Sequence, residues 1–431
     1  MKFWQSDLKD PDVGIGKTTV LGLQHTFTMF GATILVPILV GLDISVALFM
    51  AGCGTLLFHL ITKGGVPIFL GSSFAFIAPI IAASAAYGME YALGGIVISG
   101  LLYLALAVLV YFLGAERVMD WFPPIVTGSI IMVIGLGLAP VAIGMASTNG
   151  GDEITATAWL LALMSFAIVV CVNVFLKGFA KALPVLIGLI SSYIIAVIIT
   201  LTGLAPLIDF SPIKEAAWIG LPNFTMAKFN VGAIMLVAPV AICTMVEHIG
   251  DVMAVSAICE REFVKNPGLH RTLLGDGIAS SLSAMFGGPA NTTYSENTGV
   301  LALTRQFNPT IMRIAAGFAI ILGFVPKLNA LISTIPAAII GGISIVLFGM
   351  IASIGARTLV DNKINFHQSR NLIIAAVILV LGIGGAAIPF SIGEVNFNIE
   401  GMALAAIVGI ILNQVLPGKQ KYIKEKIKGD E

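Results

Sequence analysis

Charge is what this chain most plainly lacks. Only 11% of its 431 residues are Asp, Glu, Lys or Arg, less than half of the roughly 25% usual in soluble domains. The 23 basic and 23 acidic residues cancel, and no basic stripe with interleaved aromatics occurs, so nucleic acid is excluded as a partner. Cysteine is scarce too. Cys53, Cys171, Cys243 and Cys259 stand apart without CxxC spacing, which argues against a metal centre or a disulfide framework and assigns them to packing. There is no GxSxG elbow and no pair of histidines at metal-ligand spacing, so the hydroxyls of Ser72 and Ser73 do not point to a hydrolase, and no cofactor is implied. No polar region is large enough for a separate soluble domain. The opening stretch MKFWQSDLKDPDVGIGKTT is polar for too long to be a signal peptide, so the first apolar segment is expected to be kept.

Apolar sequence is abundant instead: 58% of residues are hydrophobic and the mean hydropathy is +1.00. Runs long enough to cross a hydrocarbon core, roughly 20 residues each, recur from end to end and predict an all-α polytopic membrane protein. Hydropathy and helix breakers predict about fourteen spans. They fall near 20–41, 43–62, 66–86, 91–113, 124–146, 157–176, 182–206, 231–254, 272–286, 288–304, 311–333, 335–355, 371–390 and 400–416. Basic residues test this number, because short loops rich in Lys and Arg stay cytoplasmic. Of the 23, only Lys214, Lys228 and Lys327 fall on the far side; the others, from Lys2, Lys9 and Lys17 to the tail lysines beyond Lys419, occupy every second loop. Both termini are therefore expected to be cytoplasmic, in a cell inner membrane.

Three of these segments are poor membrane helices. The third (VPIFLGSSFAFIAPII) and the tenth (PANTTYSENTGVLALTR) are interrupted by Pro67, Gly71, Pro79, Gly287, Gly288 and Pro289, and the eighth (VAPVAICTMVEHIGDVMAV) carries charge. Unpaired backbone at membrane depth is tolerated only where it lines a cavity or is buried in protein. GSSF at 71–74 and NTTY at 291–294 share one chemistry: a small or polar residue, two hydroxyls and an aromatic. They stand seven spans apart, and an odd offset reverses direction through the bilayer. A pair of inverted repeats is therefore expected, with substrate between the two discontinuous segments.

Few ionisable side chains fall inside spans: His25, Glu247, His248, Asp251, Asp276 and Glu296. A carboxylate at the bilayer centre costs about 2.5–3.5 kcal/mol on insertion scales, so each needs a partner, a cavity or a proton. Glu247 and Asp251 are four apart and share one helix face; two like charges so close favour a proton-carrying site. Glu247 and Glu296 are read as functional. Asp251 could carry a proton or hold a neighbouring segment, Asp276 could bond between helices or take part in coupling, and His25 could brace the first span. His248, about 100° round the helix from Glu247, is expected to pack or bond to another span. His59, His270 and His367 read as surface histidines near loops.

ENTGVLALTR, residues 296–305, resembles the signature of the nucleobase/ascorbate transporter family: Glu, Gln or Pro, then Asn, any residue, Gly, four more, Thr and a basic residue. With LQH at 23–25, LGSSFAF at 70–76 and EHIGD at 247–251, the resemblance covers most of the chain. Glu296 at the first signature position resembles the uracil permease branch. The resemblance implies fourteen spans in two inverted repeats of seven, with short strands in spans three and ten. It implies a core domain (20–113 and 231–333) that moves against a gate domain (114–206 and 335–416), flanked by cytoplasmic tails at 1–19 and 417–431. It also implies a homodimer in the lipid bilayer that imports uracil, with a proton as coupling ion. Substrate contacts are implied at Ser73, Phe74, Glu247, Tyr294, Ser295 and Glu296, proton coupling at Glu247, Asp251 and His25, and supporting roles for Gln24, Asn291, Asn297, Thr304 and Phe348. Two positions depart from uracil-type members: Asp251 where histidine is common, and Phe348 where a tyrosine can occur. Asp251 is commoner among members that carry purines such as xanthine. A sulfate-type anion transporter shares this architecture but calls for positive charge at the site, and a channel calls for a pore-lining ring.

Overall fold

The computed structural model describes residues 14–151, 153–392 and 395–418; Lys2, Lys9 and the tail lysines lie outside them. In chain order the elements are α1 (Ile15–Val40), α2 (Ile44–Ile61), β1 (Leu70–Ser72), a 3-10 turn (Phe74–Phe76), α3 (Ile77–Tyr87), α4 (Met89–Leu113), α5 (Ala115–Met119), α6 (Pro124–Gly137), α7 (Ala139–Thr148), α8 (Ala156–Phe175), α9 (Pro184–Leu201) and α10 (Ser211–Glu215). They continue with α11 (Val231–Val237), α12 (Ala241–Ile258), α13 (Leu269–Met285), β2 (Asn291–Thr293), α14 (Ser295–Thr304), α15 (Pro309–Gly323), α16 (Pro326–Ser333), α17 (Ala337–Asp361), α18 (Ser369–Ile383), β3 (Ala387–Ile392), β4 (Val395–Glu400) and α19 (Gly401–Val415). Among the described residues eight helices are long and apolar enough to cross a bilayer, counting α6–α7 and α11–α12 each as one.

Two expected spans differ from the structure. Residues 311–333 do not form one straight helix: α15 and α16 are bent by 79°, with the break at Phe324–Val325 just before Pro326, whose ring cannot continue an α-helix. The segment expected at 371–390 is helical only to Ile383. Gly384 caps α18, Gly385 takes a left-handed φ of 66°, and Ala387–Ile392 pairs with Val395–Glu400 as a hairpin.

The breaks in the third and tenth segments put extended backbone inside the molecule. β1 and β2 pair antiparallel, Gly71 opposite Thr292 and Ser72 opposite Asn291. The ladder is extended by Ser73 N–H to the Ala290 carbonyl (2.9 Å) and Tyr294 N–H to the Phe69 carbonyl (3.1 Å). Each strand is also clamped by one hydroxyl of the preceding helix, which both accepts from and donates to the strand's first residue. Thr55 does this for Leu70 (2.9 and 3.2 Å), and Ser280 for Asn291 (3.1 and 2.7 Å). Backbone that would be costly in lipid is satisfied by protein.

Helix packing divides the molecule. In one set α4 packs along α13, α2 along α13 and α15, and α1 along α15; in the other, α17 packs against α6, α7 and α8, and α18 against α6 and α19. Small residues allow the closest approach. A Cβ on Gly277 would lie 2.7 Å from the Gly100 carbonyl, and one on Gly100 2.4 Å from the Gly277 carbonyl, so α4 and α13 touch backbone to backbone. The connection between α9 and α11 lies over the first set. Gly220 N–H donates to Phe324, Thr225 N–H to Phe286, Ala227 N–H to Met285 and Lys228 N–H to Glu90, and Phe224 stacks edge-on with Phe49 and Phe286.

Candidate functional site

Where the two sets face each other lies a cavity of about 420 Å³, within the roughly 300–1,000 Å³ typical of small-molecule sites. Its walls differ in chemistry. One is built from α1, the 3-10 turn, α12, β2 and α14 and presents Thr28, Phe74, Glu247, Asp251, Thr292, Thr293, Tyr294, Ser295 and Glu296. The other, from α6, α8, α9 and α17, is apolar at Ile131, Leu186, Leu347, Met350 and Ile351, with Asn173 as its amide and Lys181 beyond it. Three carboxylates therefore face a cavity to which one cation contributes.

The sequence places these groups by simple means. Glu247 and Asp251 are one helical turn apart on α12. Glu296 lies in the first turn of α14, where backbone N–H groups without helical partners point out of the helix and the dipole favours negative charge. Phe74 opens the 3-10 turn that follows β1, so the N-terminus of the broken third segment faces the same space. The three acids are not equivalent. Asp251 accepts Thr293 Oγ1 at Oδ2 (2.5 Å) and Ser295 Oγ at Oδ1 (2.8 Å), so both its oxygens hold the turn between β2 and α14. Glu247 makes no hydrogen bond to a described residue, leaving its carboxylate open to a ligand.

A family model described as "Permease family" matches residues 16–391. The chain belongs to the nucleobase/ascorbate transporter family. Among its relatives, a uracil permease of Bacillus caldolyticus is 47% identical over 411 residues, covering 94% of this chain and 93% of that one. A uracil permease of Bacillus subtilis is 46% identical, covering 92% and 91%, and one of Escherichia coli is 38% identical, covering 93% and 91%. Among solved structures, the transmembrane domain of the cyanobacterial bicarbonate transporter BicA matches 95% of this chain and all of its own with a TM-score of 0.64 at 17% identity. The murine anion transporter Slc26a9 matches 94% of this chain and 68% of its own with a TM-score of 0.69 at 10% identity. The solved structures show the fold, and the family match together with the apolar helices makes the chain a multi-pass membrane protein.

In this family member, the structure brings Phe74, Glu247, Asp251, Tyr294, Ser295 and Glu296 to one cavity and leaves the other expected residues outside its lining. His25 is fully buried. Asn297 Nδ2 lies 3.1 Å from His25 Nδ1 and 3.2 Å from the His25 carbonyl, so the two residues fasten α14 to α1. Asn291 donates to the carbonyls of Met50 and Ala279 and braces β2 against the scaffold. Ser73 is buried beside Phe74, with its hydroxyl unpartnered among the described residues. Thr304 donates to Val300 within α14, Gln24 is half-buried on α1, and Phe348 stacks edge-on with Phe74 at 6.0 Å. Tyr294 is held at its hydroxyl by Thr33 Oγ1 (3.3 Å) and the Ser72 carbonyl (3.1 Å), while its ring covers Gly71, where a Cβ would lie 2.3 Å from the ring.

The histidine expectations divide. His248 meets Asp276 at 2.9 Å, both fully buried, as expected of a bond to another segment. His367 is exposed, but His59 is a correction: it is fully buried, with Nε2 2.9 Å from the Ile68 carbonyl. A position near a loop is no guide when the loop, 62–69, folds back under the helix. Sequence reasoning also passed over Thr28, Asn173, Lys181, Thr292 and Thr293. Asn173 carried a signal, being a lone amide in the apolar run AIVVCVNVFL at membrane depth.

Proposed function

We propose that the chain is a uracil permease, a secondary transporter that imports uracil with a proton across the inner membrane by moving a core domain against a gate domain. The observation that carries this reading is the pairing of Glu247 and Glu296 with Phe74 on the wall made by α12 and the two broken segments. Uracil offers two N–H donors and two carbonyl acceptors on a flat ring. Carboxylates match the donors, the N-termini of α14 and of the 3-10 turn match the carbonyls, and Phe74 supplies a ring face. Three acids disfavour an anion, although the solved structures sharing the fold are anion carriers; the site, not the fold, sets the substrate. The names of the relatives point the same way. Xanthine is the second reading, favoured by Asp251 at its position.

The proposed architecture is fourteen spans in two inverted repeats, with residues 20–113 and 231–333 as core, 114–206 and 335–416 as gate, both termini cytoplasmic, and two copies forming a dimer. The strand ladder supports the repeats. The shift that superposes Gly71–Phe74 on Asn291–Tyr294 converts the pair Gly71–Thr292 into the pair Ser72–Asn291, and it exchanges the α4–α13 packing for α15–α2. Proton coupling is assigned first to Glu247, which, like Glu296, makes no hydrogen bond to another described residue, with Asp251 one turn away and His25 behind α14 as the further members.

The test is radiolabelled uracil uptake into cells or proteoliposomes. Glu296→Ala is expected to abolish uptake while folded protein remains in the membrane, and unlabelled uracil should compete better than xanthine. Uptake retained by the variant overturns the site, and stronger competition by xanthine reverses the order of substrates.

A further inference from the structure

Asn173 sits in the last turn of α8, half-buried, on the cavity wall opposite the acids. Its neighbours on that wall are Ile131, Leu186, Leu347, Met350 and Ile351. The partner of its Nδ2 is the thioether of Met350, 3.3 Å away, a weak acceptor, and its Oδ1 takes no hydrogen bond from a described residue. An amide on a cavity wall with only a weak protein acceptor is free to meet a ligand there.

The two walls also divide the chemistry of recognition. Glu247 and Glu296 can only accept when ionised, whereas Asn173 offers one acceptor and two donors and so complements the adjacent N–H and C=O of a ring amide. The Gly178–Ala182 turn that carries Lys181 packs against both α8 and α14, at the end of α8 where Asn173 stands. We propose that Asn173 is a specificity-determining substrate contact on the gate side, taking hold of the amide edge of the base as it leaves the two glutamates. This rests on the uracil reading above and names the residue through which the gate wall takes part in selection.

The test uses the purified full chain in proteoliposomes, with the wild type, Asn173→Leu and Asn173→Gln. A lost hydrogen bond should lower kcat for uracil uptake in Asn173→Leu by about tenfold while KM changes less than about twofold. In the same variant, saturating uptake of 4-pyrimidinone, which lacks the N1–H and C2=O edge, should fall less than saturating uptake of uracil. Asn173→Gln should recover most of the rate. Should the leucine variant fail to fold, judged by gel filtration, Asn173→Ala carries the same comparison. An apolar variant with wild-type saturating rates for both bases overturns the inference and leaves the uracil reading standing. Wild-type vesicles that take up no uracil overturn that reading instead.

Discussion

Two hydroxyls converge on Asp251, from residues on either side of Tyr294, and this separates it from the glutamate one turn earlier. A carboxylate with both oxygens occupied by donors is a strap between α12 and the β2–α14 turn; it sets where Glu296 and the α14 N-terminus stand. Asp251→Asn replaces one acceptor with a donor facing a hydroxyl, and each charge-assisted bond is worth roughly 1.5–3 kcal/mol. Uracil affinity, read by equilibrium binding to purified protein, should fall about tenfold or more. Asp251→Asn combined with Thr293→Val should cost less than the sum of the two single changes; strict additivity would show that the bond does not position the site. The shared face of Glu247 and Asp251 was legible from their spacing. That Asp251 is spent on Thr293 and Ser295 was not, because it depends on a segment more than forty residues away crossing α12 at that depth.

The element on which the site depends is a two-stranded ladder of three residues per strand, too short to stand alone in water and held here by Thr55, Ser280 and the helices behind it. Gly71 is its tightest point, since the Tyr294 ring occupies the place of a side chain. Gly71→Ala should push the ring off Thr33 and Ser72 at a cost of about 1–3 kcal/mol from overpacking. A lower apparent unfolding temperature and lost uracil uptake are expected, while Gly137→Ala, whose added methyl meets nothing within 4 Å, should behave as wild type. Equal behaviour of the two variants would remove the ladder from the argument. Glycine and proline spacing announced that the third and tenth segments break. The same signals stand at the α15–α16 bend (Gly323, Pro326) and after Ile383 (Gly384, Gly385, Pro389), but apolar residues continue across both places, so hydropathy alone carried a span through each.

At the scale of the molecule, the cavity lies between two sets of helices, and its acids stand on α12 and α14, which pack on α13, α4 and α1, while α12 also touches α6 and α19. From Gly220 to Lys228 the connection from α9 to α11 is hydrogen-bonded to α4, α13 and the α15–α16 bend, so in the proposed movement of core against gate it should travel with the acidic wall. Import driven by protons predicts that a protonophore stops uracil accumulation in energised cells; accumulation that persists and follows an imposed sodium gradient would replace the proton. The class of molecule, the two broken segments and the acids among apolar sequence were readable from composition, periodicity and charge, because a bilayer punishes polar groups one residue at a time. Which polar groups are spent on holding the fold and which are left open to a ligand was decided only in three dimensions. Polar partners such as Asp251 and Thr293, His25 and Asn297, or His248 and Asp276 are brought together by helix packing, and nothing in their order along the chain encodes it.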